Sequence, residues 1–127
     1  VWADVTEALS LAHAVRPWFT GHSLGGALAT LAADRHGDSA AVYTFGSPLV
    51  GDDAFAAGFN NRHEGRSFRY VNGDDLVTRV PPFFTHINRE HRLAAPPETS
   101  LWPGALIDHT PRRYSTLVWN SLAAGVL

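Results

Sequence analysis

Ser23 lies in the segment Gly21-His22-Ser23-Leu24-Gly25-Gly26, with a glycine two residues away on either side. A serine framed this way between a strand and a helix fits a sharp turn that lifts its hydroxyl clear of a sheet. The backbone there is strained, and the flanking glycines are expected to relieve the crowding. The same turn aims the Leu24 N–H, at a helix N-terminus, toward an oxyanion forming beside Ser23. A serine hydroxyl attacks well only when a base takes its proton, and that base needs an anion to hold its tautomer. Asp74-Asp75 and then His109 follow Ser23 along the chain. Either aspartate suits the role of the anion on residue type alone. His22, next to the turn serine, faces away from it, so a structural role is expected.

Those groups need elements to hold them. Val1, Val5, Ala8, Leu9 and Ala12 recur at helical spacing, so the chain opens inside an amphipathic helix. Trp18-Phe19-Thr20 reads as a short buried strand, Leu24 to Asp34 as a helix and Ala41 to Phe45 as a second strand. Asp52 or Asp53 caps a helix running through Phe59. Ser67 to Val71 is a third strand, closed by the turn signal Asn72-Gly73-Asp74. Five prolines between Pro81 and Gly104 predict a hairpin or irregular excursion. Thr110-Pro111 reads as an N-cap and first helical position, opening a last helix through about Leu122. Strands alternating with helices predict an α/β fold with a mostly parallel sheet flanked by helices. Three strands are few for such a sheet.

Composition narrows the functions. The 127 residues carry a net charge of −2, with 45% hydrophobic and 17% charged residues. All ten basic residues are arginines scattered from Arg16 to Arg113, which excludes the basic stripe of a nucleic-acid binder. There is no cysteine, hence no disulfide, thiolate metal site or cysteine nucleophile. The apolar run from Gly25 to Ala33 is too short for a transmembrane segment. His86, Glu90 and His91 share neither a helix face nor a strand face, so no metal site is expected. The lack of methionine, even at position 1, predicts a piece of a longer or processed protein. Nothing in the sequence assigns a localisation.

Four stretches in order carry a family resemblance. They are Thr20-Gly-His-Ser-Leu-Gly-Gly-Ala-Leu-Ala29, Tyr43-Thr-Phe-Gly-Ser-Pro-Leu-Val-Gly51, Tyr70-Val-Asn-Gly-Asp-Asp-Leu-Val77 and Asp108-His109. The chain resembles the class 3 lipases, the fungal triacylglycerol-lipase-like branch of the α/β-hydrolases. The resemblance implies a serine esterase or lipase acting on lipid-type carboxylic esters through an acyl-enzyme, with no cofactor. It implies Ser23 as nucleophile, Asp75 rather than Asp74 as acid, His109 as base with Tyr114 following it, and the Leu24 N–H as one oxyanion donor. His86 resembles a family histidine that is not the base. Contact with a lipid interface goes with such substrates.

The family also carries a second oxyanion donor on a loop well upstream of the nucleophile, with a lid after it. Only 22 residues precede Ser23. The expectation is a single partial α/β-hydrolase domain over 1–127 that lacks N-terminal strands, that loop and the lid, with its nucleophile strand at a sheet edge. Two other readings use the same residues: a non-catalytic module that keeps the turn as scaffold, and a thioesterase or acyltransferase.

Overall fold

A computed structural model describes residues 2–13, 16–93 and 107–126 of the chain. Four strands, β1 (Trp18–His22), β2 (Ala41–Phe45), β3 (Ser67–Asn72) and β4 (Glu90–Leu93), form one sheet in the order β1-β2-β3-β4. All neighbours are parallel, in a register that sets Phe19 beside Val42, Tyr43 beside Phe68 and Tyr70 beside His91. The helices are α1 (Trp2–Leu11), α2 (Leu24–His36), α3 (Asp53–Arg62) and α4 (Pro111–Ala123), with a 3₁₀ turn at Leu76–Arg79.

Parallel neighbours in sequence order require crossovers, and right-handed crossovers stepping one way leave their helices on one face. Accordingly α2 and α3 pack on one side around Phe19, Ala29, Ala33, Val42, Ala56, Phe59 and Ile87. On the other side α4 buries Tyr114 and Leu117 against Tyr70 and Leu93. Alternation along β2 feeds both cores, with Val42 facing the first and Tyr43 and Phe45 packing on the second. A fully buried Phe59 contributes about 1.5–3 kcal/mol by its removal from water.

Several details differ from the sequence reading. β1 is two residues longer than expected, and of Trp18, Phe19 and Thr20 only Phe19 is buried. It lies at an edge of the described sheet, so Trp18 stacks on Tyr43 with its other side in solvent. Asp52 caps α3 by accepting the Phe55 N–H at 2.8 Å, and the helix continues past Phe59 to Arg62. The predicted excursion contains β4, a strand of mostly polar sequence that no hydrophobic pattern marks. Its place is set by the free edge of β3 and by Glu90, which pairs at 3.4 Å with the buried Arg69 of β3. The rest of that excursion, 94–104, lies outside the described residues, as does Val1 of the opening helix. None of α1 is buried, though Leu9 rests against the first core. Thr110 precedes Pro111 at the start of α4 as expected, but its hydroxyl donates to the Ile107 carbonyl instead of capping the helix. Among the described residues no helix is long and apolar enough to cross a membrane.

Candidate active site

β1 hands directly to α2 through Ser23, whose φ of 56° and ψ of −130° put it in the positive-φ half of backbone space that non-glycine residues rarely adopt. Such a conformation costs on the order of 1–3 kcal/mol and persists when the surroundings hold it. Here the Ser23 N–H donates to the Phe45 carbonyl at 2.9 Å, pinning the turn to the end of β2. The glycine requirement is one-sided. A Cβ on Gly21 would lie 2.2 Å from the Gly25 carbonyl oxygen, whereas a Cβ on Gly25 meets nothing within 4 Å. The expected crowding on both sides is therefore one contact, between position 21 and the backbone of position 25.

His109 reaches this turn from the residues just before α4. Its Nε2 stands 2.8 Å from Ser23 Oγ, and its Nδ1 stands 2.9 and 3.0 Å from the two Asp75 oxygens. Facing an acceptor-only carboxylate, Nδ1 carries the proton, which leaves Nε2 free to accept from the Ser23 hydroxyl. Asp75 follows β3 and opens the 3₁₀ turn, accepting the Val77 N–H at 2.9 Å. Its side chain is completely buried. Asp74 points the other way: it is 81% exposed and pairs with Arg79 at 3.2 Å. One residue of register separates a buried hydrogen-bonded carboxylate from a solvated one.

Two neighbours of this series carry more than the sequence suggested. Tyr114 projects from the first turn of α4, and its hydroxyl donates to Asp75 Oδ2 at 2.7 Å while accepting the Asn72 N–H at 3.0 Å. Burial, with the Asp75 carboxylate adding to it, pushes that hydroxyl above the usual tyrosine range, so it remains a donor. Gly46, at φ 59°, makes room for both groups: a Cβ there would lie 2.7 Å from Asp75 Oδ2 and 3.0 Å from the Tyr114 ring. The resemblance pointed to Tyr114 by spacing alone, and nothing in the sequence linked it to Asp75. His22 stays off Ser23 and instead donates through Nε2 to the His109 carbonyl at 2.6 Å. Its ring lies 4.7 Å from that of His109, and burial lowers its pKa.

The arrangement can move a proton from a hydroxyl through an imidazole held by a carboxylate. At its mouth the α2 N-terminus presents the Leu24 N–H, one of the first N–H groups of a helix, which have no acceptor within it. Behind His22 an apolar cavity of about 330 Å³ runs between the sheet and α4, lined by Phe45, Tyr114, Val118, Trp119 and Leu122 among others. His86 is elsewhere, donating to the Thr78 carbonyl. Among the described residues no group of histidine, aspartate and glutamate side chains has metal-binding geometry.

Comparison with known proteins gives the chain's family. The chain is 41% identical over 107 residues to the secreted mono- and diacylglycerol lipase 1 of Fusarium solani, a match covering 76% of this chain and 32% of that protein. The native Rhizomucor miehei lipase propeptide complex superposes with a TM-score of 0.58 at 33% identity, over 72% of this chain and 33% of that one. A structure described as a triacylglycerol lipase with a serine protease triad at its catalytic centre superposes at 0.60, with 33% identity, over 75% of this chain and 40% of its own. The chain thus spans about a third of the length of the Fusarium lipase it matches. The family model described as lipase (class 3) matches residues 1–85, a stretch that includes Ser23 and Asp75 and stops short of His109. With two thirds of its length matched by that model, the chain belongs to the class 3 lipase family.

Proposed function

We propose that the protein is a serine carboxylic ester hydrolase acting on acylglycerols, with Ser23, His109 and Asp75 as its catalytic groups. One observation carries the reading: the unbroken series of contacts from Ser23 Oγ to His109 Nε2 and from His109 Nδ1 to Asp75, each 3.0 Å or less. His109 takes the Ser23 proton as Oγ attacks the ester carbonyl carbon. The Leu24 N–H donates to the resulting oxyanion, and Asp75 stabilises the imidazolium. The intermediate collapses, the C–O bond breaks, and the alcohol leaves with the proton from His109. Water then attacks the acyl-enzyme, again through His109, releasing the carboxylic acid and restoring Ser23.

The acylglycerol assignment is supported by the name of the Fusarium relative. Exposed apolar side chains flank the reacting groups, with Leu24 66% and Leu76 52% exposed, which suits contact with a lipid interface. The test is hydrolysis of mono-, di- and triacylglycerol emulsions beside p-nitrophenyl esters and acyl thioesters, by the protein and by Ser23→Ala. Oxygen-ester turnover that the alanine variant lacks supports the reading. Preferential thioester cleavage moves the enzyme to another class, and no turnover of any substrate sinks it.

A further inference from the structure

The side chain beside the base is a buried carboxylate that the chemistry above leaves unused. Asp108 is 7% exposed. Its Oδ2 accepts the Asp74 N–H at 2.9 Å, and its Oδ1 lies 3.4 Å from Asn72 Nδ2. The same Asn72 nitrogen donates to the Asp108 carbonyl at 2.9 Å. Gly73 lets the carboxylate lie flat on the turn, because a Cβ there would sit 2.2 Å from Asp108 Oδ2. Asn72 and Asp74 bracket the turn that leads into Asp75, and Asp108 precedes His109. Both catalytic partners are therefore tethered, one peptide away, to one buried carboxylate.

We propose that Asp108 is the positioning residue that sets His109 against Asp75, an inference that rests on those two residues being catalytic. The hydrogen bonds form a closed circuit: the Asn72 side-chain amide to the Asp108 carbonyl, the Asn72 N–H to Tyr114, Tyr114 to Asp75, His109 to Asp75, and back along the chain to Asp108. Asp108 holds the turn before Asp75 twice, through its carbonyl to Asn72 Nδ2 and through its carboxylate to the Asp74 N–H. Residues 107–110 lie outside the strands, and these bonds tie them to the end of β3. A carboxylate suits the role because it accepts from two donors at once and competes for neither. Without it the His109 turn is free to shift, and a displacement of about 1 Å in such a group costs about 10²-fold in rate.

The experiment compares the intact protein with Asp108→Ala, Asp108→Asn and Asn72→Ala, each well below its melting temperature by circular dichroism. Two quantities are read: the low-field proton resonance of His109 Nδ1, assigned by ¹⁵N-histidine labelling, and the rate of fluorophosphonate labelling. Asp108→Ala is expected to shift or broaden the resonance and slow labelling about 10²-fold. Asp108→Asn keeps an acceptor for the Asp74 N–H and is expected to recover most of both. Asn72→Ala shifts the resonance in the same direction and decides the matter if Asp108→Ala does not fold. A folded Asp108→Ala with the wild-type resonance overturns the inference. Wild-type protein that resists labelling contradicts the catalytic reading instead, while the resonance still reports where His109 sits.

Discussion

The Tyr114 hydroxyl stands 2.7 Å from Asp75 Oδ2 and joins the first turn of α4 to the carboxylate that faces His109. It gives Asp75 a third donor beside His109 and the Val77 N–H. Tyr114→Phe removes that donor and leaves the buried Asn72 N–H without its acceptor. The expected loss of stability is about 1–3 kcal/mol, the cost of an unsatisfied buried group. Denaturant melts give the stability, and kinetics on the folded variant are expected to show lower kcat. An unchanged melting midpoint would mean water replaces the hydroxyl without penalty.

The adjacent aspartates should separate sharply. Asp75→Asn is expected to reduce kcat by about 10⁴-fold, because an amide no longer holds the imidazole in the needed tautomer. Asp74→Asn removes a carboxylate that is mostly in solvent and pairs with Arg79, so its effect should stay within about 0.5 kcal/mol. Steady-state kinetics on both variants decide the register, and the reverse ranking contradicts it.

The two glycines flanking Ser23 should respond differently to the same methyl group. Gly21→Ala drives its Cβ into the Gly25 carbonyl and is expected to cost at least about 1–3 kcal/mol. Gly25→Ala enters open space in the first turn of α2, where replacing glycine gains up to about 1 kcal/mol of helix propensity. Thermal melts of the two variants provide the comparison. Equal destabilisation would restore the symmetric crowding expected from the sequence.

Acid should weaken the fold through His63. This residue is fully buried between Phe59 and Ser39, and burial, with Arg66 and Arg62 nearby, lowers its pKa from 6.5. The unfolded chain therefore takes up its proton first as pH falls. The histidine's contribution is present above pH 6.5 and is lost on acidification through the lowered folded value. His22 and His86, also lowered by burial, act in the same direction. Melting temperatures from pH 8 to pH 5 should fall, and His63→Gln should make the slope shallower. An unaltered slope in that variant assigns the acid sensitivity elsewhere.

The parallel α/β architecture was legible because its strong elements announce themselves locally. Ala41 to Phe45 is mostly apolar and bounded by Gly46, Leu24 to Asp34 is rich in helix formers, and Thr110-Pro111 marks a helix start. β4 was not legible, because Glu90, His91 and Arg92 become strand only through pairing with β3 and the ion pair to Arg69. The site followed the same division. Ser23, the Asp74-Asp75 pair and His109 could be picked out by type and order, with the family resemblance choosing between the aspartates. Tyr114, Asn72 and Asp108 could not be linked to them, since hydrogen bonds across 34 to 42 residues of separation leave no local pattern.

Covalent labelling tests Ser23 as the nucleophile. The intact protein is treated with a fluorophosphonate, digested, and the modified peptide sequenced by mass spectrometry. One phosphonylated serine is expected, Ser23, with labelling abolished in Ser23→Ala and greatly slowed in His109→Gln while both variants stay folded. Persistent labelling of Ser23→Ala, or modification at another serine, would contradict it.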